Sequence, residues 1–398
     1  MTAEPISDKN TPTLTPVVPW VNNAPALTPN TTADKNAPTL TPYRPGEQFP
    51  LEILKSTDAW PFAKLQDPGI HAAVSAVCSN TMSPVLNVII FGIDKFGAKT
   101  HFRAVLKVYD RRFGEHLRGD LFRNHRPHNA VHEAAFQSFV HEEKMEPFIR
   151  EREESMRQKN LLPGCGHILD GTEDGIAKFE AALWHESKKQ FSCETEAYER
   201  LEDLQGKAIP RLYAHVRLTL PKTIVQDELL ESPEIAPYFE VNGIVLERIT
   251  GYNLIDMHMS ALSPEDTMLW SGIVQSAVDA VSEINKRGVL MRDCGPRNVV
   301  VDKHSHTPFV IDLAQCDFKD KLIEEWRAYG RHKNEGWDPD TEYCNELKLA
   351  SNHGEVGVVM TALLQSSGLS LVIKYPKFET QSNGRCKHQN GSGVKDAT

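Results

Sequence analysis

The 398-residue chain lacks several features that would assign it to a familiar class of protein. It has no apolar run long enough to span a membrane, and its first residues have no apolar stretch of the kind found in signal peptides. Its seven cysteines include no C-x-x-C pair, so a disulfide framework is not predicted. The net charge of −10 argues against nucleic-acid and membrane-surface partners, which need a basic face. We therefore expect a soluble protein of a reducing compartment, cytoplasmic or also nuclear.

Large apolar side chains are scarce in residues 1–50, which are rich in Pro, Thr and Asn. A seven-residue segment of the form N-x-P-x-L-T-P occurs three times there, at 10–16, 23–29 and 36–42. Such a segment offers too little apolar surface to offset the entropy of ordering. We predict a disordered tail over 1–50 and a second one over the polar, Gly/Ser-rich residues 381–398.

Residues 288–315, with the sequence GVLMRDCGPRNVVVDKHSHTPFVIDLAQ, are the most informative part of the chain. Two β-branched or apolar runs, at 298–301 and 308–311, flank a polar turn and predict a hairpin. This hairpin would place Asn298 at its start and Asp312 at its end, both at one edge. The amide oxygen of Asn298 and the carboxylate oxygens of Asp312 are the kind of ligand that Mg²⁺ prefers. Asp293, just before the hairpin, is a candidate for orienting an acceptor hydroxyl.

A second hairpin is predicted upstream, from β-rich runs at 85–91 and 102–109 around a turn. Alternation along the second run puts Lys107 and Tyr109 on one face. A lysine inside such a run is costly unless it meets an anion, so Lys107 is a candidate for holding nucleotide phosphates. The alternative is an edge-strand lysine that discourages aggregation. No G-x-G-x-x-G loop accompanies it.

Two helices and one further strand are predicted between these hairpins. Apolar residues at helical spacing predict a helix over 194–204, and a buried strand is predicted over 243–251. A second helix is expected to begin at Ser263, as its N-cap, with Pro264 at the first helical position, and to run to Ile284.

The R-D-x-x-x-x-N string at 292–298, followed by Asp312, resembles the catalytic loop and metal-binding segment of protein kinases, H-R-D-x-x-x-x-N and D-F-G. Met291 stands at the histidine position, and Leu313-Ala314 follow the aspartate. With the order of the elements, the chain is similar to divergent fungal protein-kinase-like proteins. This resemblance implies an α+β, bilobal protein-kinase-like fold. Its N-lobe-like, β-rich region would span 51–250 with a helical insertion at about 110–190, and its truncated C-lobe-like region would span 251–380.

The resemblance also implies a role for each motif residue. A glutamate of the first helix, Glu194 or Glu196, would order the lysine, and backbone groups after the buried strand would contact adenine. The implied site consists of Asp293 as the base, Lys107 on the phosphates, Glu194 beside Lys107, Glu247 and Ile249 at the adenine, and Asn298 and Asp312 on the metal.

The pattern favours an ATP- and Mg²⁺-dependent phosphotransferase that acts on a protein or small-molecule acceptor. Its partners would be the nucleotide and that acceptor. The alternative is a pseudokinase that serves as an interaction module. The absence of a glycine-rich loop, of an A-P-E segment and of the loop histidine favours that alternative, whereas the joint presence of Lys107, Asp293, Asn298 and Asp312 favours catalysis.

Overall fold

The computed structural model describes residues 43–63, 70–119, 124–158, 165–168, 172–218, 232–380 and 386–389. All of them belong to one compact unit, Thr39–Thr398. Helices and strands are mixed along the chain. Within the described ranges, no helix combines the length and apolar character needed to cross a membrane.

Six strands form a closed antiparallel barrel. In chain order they are β1 (Gln48–Ser56), β2 (His71–Ser79), β3 (Val85–Ile93), β4 (Lys99–Tyr109), β5 (Leu212–Leu218) and β6 (Val241–Glu247). The order around the barrel is β1-β2-β3-β4-β6-β5, and β5 closes it by pairing with β1. Leu86, Val88 and Ile90 alternate along β3 and are buried in the barrel interior, as the period of two requires. The predicted β3–β4 hairpin is confirmed, with Val85 opposite Lys107.

Three helices lie between β4 and β5 in the chain: α1 (Ala130–His141), α2 (Met145–Arg157) and α3 (Glu173–Arg200). Phe136 and Phe139 of α1 pack against Ala177 and Ala181 of α3. Helix α3 is 28 residues long. It begins within the range predicted as a helical insertion, and the predicted helix over 194–204 covers only its last turns and runs past its end at Arg200. The bounds of α3 were not predicted, because its earlier part buries polar residues such as Glu180, which interrupt an apolar stripe.

A buried ion-pair network holds α1 and α3 to the end of β4. Arg118 and Glu180, both 0% exposed, pair at 2.5 Å, and Arg111 reaches Glu180 at 2.6 Å and Glu133 at 2.5 Å. Burial alone would raise the pKa of Glu180, but the charges of Arg118 and Arg111 lower it to about 2. Each of these charges is therefore compensated by a partner from a distant segment.

The second half of the described chain consists of short strands and four α-helices. These elements are β7 (Gly251–Asn253), α4 (Met268–Lys286), β8 (Val289–Met291), β9 (Val299–Asp302), β10 (Pro308–Val310), β11 (Cys316–Phe318), α5 (Lys319–Ala328), α6 (Pro339–Ala350), α7 (Asn352–Ser366), β12 (Lys377–Thr380) and β13 (Cys386–Gln389). The predicted β9–β10 hairpin is confirmed. The predicted strand over 243–251 is divided, because β6 ends at Glu247 and β7 begins at Gly251.

Helix α4 presents the predicted apolar stripe, and its buried residues include Val274, Val278 and Val281. The predicted start of this helix is wrong, because α4 begins at Met268. Instead of capping the helix, the hydroxyl of Ser263 donates to the carbonyl of Met257 at 2.6 Å. Side-chain hydrogen bonds in the preceding loop therefore compete with the helix for these residues.

The predicted tail boundaries are wrong at both ends. Strand β1 begins at Gln48, and the hydroxyl of Tyr43 donates to Asp110 Oδ2 at 2.8 Å; residues 1–42, with the repeats, lie outside the described residues. Near the other end, the backbone of β13 pairs with β12, within the range predicted as a tail. Cys344 is disulfide-bonded, a feature that the cysteine spacing did not predict.

Removal of residues 1–50 is expected to lower the melting temperature by several degrees relative to removal of residues 1–42. The longer deletion removes Tyr43 and the register pairs of Gln48, Phe49 and Pro50, which join β1 to β2. The barrel would then be open between these two strands. Thermal unfolding of both truncated proteins, followed by circular dichroism, tests this. Equal melting temperatures would mean that the pairing of residues 48–50 with β2 and the contact of Tyr43 contribute little to stability.

Candidate functional site

Three distant segments bring charged side chains together beside the barrel. Lys107 Nζ on β4 lies 2.5 Å from Glu194 Oε2 on α3 and 2.6 Å from Asp312 Oδ1, in the segment after β10. Lys107 is 5% exposed and Glu194 0%. The Asp312 side chain is more accessible, at 33%. The predicted lysine, glutamate and aspartate thus form one cluster that faces solvent through Asp312.

Glu194 has hydrogen-bond partners on both of its carboxylate oxygens. Tyr109 donates its hydroxyl to Oε2 at 2.5 Å, and the N–H of Leu313 donates to Oε1 at 3.2 Å. Glu196, the other candidate, pairs instead with Arg200 at 2.7 Å. Tyr109 was not predicted as a site residue, although strand alternation had placed it on the same face as Lys107. The carboxylate of Glu194 therefore joins β4 to the segment that follows Asp312.

The charges in the cluster stabilise one another. Burial would lower the pKa of Lys107, but Asp312 and Glu194 raise it above its ordinary value. Burial would likewise raise the pKa of Asp312, but the charge of Lys107 and its hydrogen bond lower it. Asp312 also adopts a φ of 63°, a left-handed conformation that is uncommon for residues other than glycine. Both side chains are charged at neutral pH, and the Asp312 backbone carries local strain.

The loop between β8 and β9 positions Asp293 and Asn298. The side-chain amide nitrogen of Asn298 donates to the backbone carbonyl of Asp293 at 2.9 Å, and Ile311 N–H donates to the carbonyl of Asn298 at 2.8 Å. The first bond leaves the amide oxygen of Asn298 as the atom that a cation can use. Asp293 forms an ion pair with Arg297, a residue that was not predicted as part of the site. Asn298 and Asp312 thus offer amide and carboxylate oxygens, which suit Mg²⁺.

The neighbours of Asp293 in the sequence have structural partners. Arg292 Nε lies 2.5 Å from Asp317 Oδ2, and its N–H donates to the carbonyl of Gln315 at 2.8 Å. Met291 is buried, and its carbonyl accepts a hydrogen bond from Asn352 Nδ2 at 2.7 Å. Packing, the pairing of Met291 with Cys316 in the β8–β11 ladder and this hydrogen bond hold the chain at the position where the kinase pattern has histidine.

The predicted adenine-contacting residues lie at the end of β6. Lys107 pairs with Ile244 in the β4–β6 ladder, so Glu247 is three residues along, or about 10 Å. The N–H of Glu247 donates to the carbonyl of Arg211 at 2.8 Å, and its side chain pairs with Arg211 at 2.6 Å. Among the described residues, no hydrogen bond involves the N–H of Ile249. Ile249 therefore retains a backbone donor for a ligand, whereas the N–H and the side chain of Glu247 are engaged.

Residues 80–84 connect β2 to β3 and contain no glycine. The next residue, Val85, pairs with Lys107. The N–H groups of Glu115 and His116 donate to the carbonyls of Asn80 and Thr81 at 2.8 and 2.9 Å. The segment after β4 thus holds this connection through two backbone hydrogen bonds. Its conformation is set by these backbone bonds and not by glycine flexibility.

The chain matches no protein-family model and no curated protein. Among solved structures, it is similar to the kinase domain of Mycobacterium tuberculosis PknI, crystallised as a point mutant, at 13% identity and a TM-score of 0.28. The match covers 61% of this chain and 59% of that chain, so it spans less than two thirds of the mycobacterial kinase domain.

Proposed function

We propose that the chain has a bilobal, protein-kinase-like fold and transfers the γ-phosphoryl group of ATP to a protein or small-molecule acceptor. The barrel with α3 would be one lobe, and the region from β7 onward would be the other. The observation that carries the proposal is the contact of Lys107 with both Glu194 and Asp312. A buried lysine held between two carboxylates, one of them partly open to solvent, is arranged to receive phosphate oxygens.

Lys107 would hold nucleotide phosphates, and Glu194 would keep it in place. Glu194 suits this role because Tyr109 and the N–H of Leu313 fix its orientation. When ATP binds, Asp312 would exchange part of its contact with Lys107 for the metal, together with the amide oxygen of Asn298. Bound Mg²⁺ would neutralise charge on the phosphates. Adenine would lie about 10 Å along β6, near the carbonyl of Glu247 and the N–H of Ile249, to which the described residues supply no acceptor.

Asp293 would orient the acceptor hydroxyl and take its proton. Its carboxylate is partly exposed and pairs with Arg297, so an acceptor hydroxyl must share or displace that contact. Arg297 is mostly exposed and lies where it could offset negative charge on the transferred group. The loop thus supplies a base and a neighbouring cation from residues four positions apart.

The second candidate function is that of a pseudokinase that acts as an interaction module. The connection between β2 and β3 favours it, since this segment lacks glycine and is bonded to Glu115 and His116. A connection held in this way has less freedom to approach phosphates with its own N–H groups. This candidate predicts weak nucleotide binding without turnover.

Replacement of Asp312 by asparagine is expected to remove the Mg²⁺-dependent part of any stabilisation by ATP. A bound ligand stabilises the native state by mass action, and the carboxylate charge dominates metal affinity. The unliganded variant should melt at a lower temperature than the wild type, because the lowered pKa of Asp312 shows that its charge favours the folded state. Each melting shift is therefore compared with that protein's own unliganded value.

Asp279→Asn is the matched control for this test, because Asp279 is exposed on α4. Its replacement should leave the melting shifts caused by ATP and Mg²⁺ unchanged. Thermal-shift titrations with ATP, with and without Mg²⁺, give the measurement. A Mg²⁺-dependent shift of wild-type size in Asp312→Asn would exclude Asp312 as the metal ligand.

A further inference from the structure

Two thiols meet beside the Lys107 cluster without taking part in it. Cys193 lies on α3 directly before Glu194, and Cys316 begins β11. Cys193 Sγ accepts a hydrogen bond from the N–H of Cys316 at 3.2 Å and donates to the carbonyl of Cys316 at 3.3 Å. The two residues are 123 positions apart in the sequence, so the fold alone brings them together.

The other free cysteines that the structure describes have different surroundings. Cys78 is exposed, and Cys165 is buried. Burial raises the pKa values of Cys165 and Cys294 to about 12, which makes these thiols poor nucleophiles. Cys193 and Cys316 are both partly buried, whereas Cys165 is almost fully enclosed.

The two thiols also differ from each other in acidity. A hydrogen bond from the Cys316 thiol lowers the pKa of Cys193, and the same bond, with burial, raises the pKa of Cys316. Because the thiolate is the reactive form, Cys193 is the better nucleophile and Cys316 the resolving thiol. Such an arrangement is typical of oxidisable cysteine pairs.

We propose that Cys193 and Cys316 are a redox modification site, at which a peroxide converts the two thiols into an intramolecular disulfide. The Cys193 thiolate attacks one peroxide oxygen, the O–O bond breaks, and Cys193 becomes a sulfenic acid. The Cys316 thiol then attacks the Cys193 sulfur and displaces the sulfenic oxygen as water. With hydrogen peroxide, two thiols and one peroxide give one disulfide and two waters, and the thiols supply both electrons.

The disulfide would tie α3 to the segment that follows Asp312. Because Cys193 Sγ already contacts the backbone of Cys316, we expect that rotation of the side chains is sufficient to bring the sulfurs to bonding distance. The bond would fix Glu194 and Asp312 on the two sides of Lys107. Its formation does not depend on the proposed phosphotransferase activity.

The test is oxidation of the folded, full-length protein with a few equivalents of hydrogen peroxide. Free thiols are then alkylated, and the protein is digested without reductant and examined by mass spectrometry. The expected product is a peptide pair joined through Cys193 and Cys316, which dithiothreitol separates. It should form in Cys78→Ser as in the wild type and be absent from Cys193→Ser.

A second variant, Cys316→Ser, tests the order of the steps. Without the resolving thiol, the sulfenic acid of Cys193 should accumulate and be trapped by dimedone. The proposal would be overturned if, in the wild type, Cys193 and Cys316 were both still alkylated as free thiols after peroxide had modified Cys78. A joined peptide that forms only after unfolding in urea would overturn it as well.

Discussion

Replacement of Asp293 by alanine is expected to slow phosphoryl transfer by about 10²–10⁴-fold, the usual loss when a positioned base is removed. ATP affinity should be nearly unchanged, because the role proposed for Asp293 concerns the acceptor and Asp293 lies outside the Lys107 cluster. Its side chain is partly exposed and pairs with the mostly exposed Arg297, so stability should change little. Initial rates of ATP hydrolysis or autophosphorylation, followed by a panel of acceptors, measure the effect.

Asp279→Ala is the matched control and should keep the wild-type rate, since Asp279 lies on an exposed part of α4. Turnover in Asp293→Ala that equals turnover in the wild type, across the whole acceptor panel, would contradict the catalytic proposal. ATP binding without turnover in either protein would then favour the pseudokinase.

Replacement of Arg118 by methionine is expected to destabilise the protein by about 3–5 kcal/mol, the usual effect of breaking a buried ion pair. Glu180 would remain fully buried, with Arg111 as its remaining ion-pair partner among the described residues. Arg150→Met is the control, because Arg150 forms an exposed pair with Glu146 on α2 and should cost less than about 1 kcal/mol. Urea unfolding at neutral pH gives the free energy of unfolding of both variants. Similar decreases in Arg118→Met and Arg150→Met would contradict a structural role for the network.

The same network predicts a pH dependence of stability. The pKa of Glu180 is lowered from its ordinary value of 4.5 to about 2, because Arg118 and Arg111 outweigh the effect of burial. Its contribution is therefore fully present above about pH 4.5 and is lost as the pH falls towards 2. In Arg118→Met, the charge of Glu180 contributes less to stability than in the wild type. The free energy of unfolding should therefore fall less steeply between pH 4.5 and pH 2.

Strand alternation and hairpin spacing were enough to predict the local geometry of the site. The β9–β10 hairpin places Asn298 and Asp312 at one edge, and β4 places Lys107 and Tyr109 on one face, because both features follow from a period of two over a few residues. The contact between Lys107 and Glu194 could be predicted only from the kinase resemblance. No local pattern relates these residues, which lie 87 positions apart.

The parts of the fold that could not be predicted depend on partners far along the chain. The first turns of α3 bury Glu180, which local patterning assigns to a solvated face, and the ion pairs with Arg118 and Arg111 compensate that burial. The tail boundary was wrong because the partner of Tyr43 is Asp110, 67 positions away. Long-range polar contacts of this kind leave no periodic signal.

The central claim, that the Lys107 cluster binds the phosphates of ATP, is tested most directly by equilibrium titration of ATP into three proteins in the presence of Mg²⁺. These are the wild type, Lys107→Met and Lys95→Met, the last a control because Lys95 is exposed in the turn between β3 and β4. We predict saturable binding by the wild type and Lys95→Met, and an affinity at least about tenfold lower in Lys107→Met, since a phosphate contact is lost. Absence of binding to the wild type, or equal affinities in all three proteins, would contradict the claim.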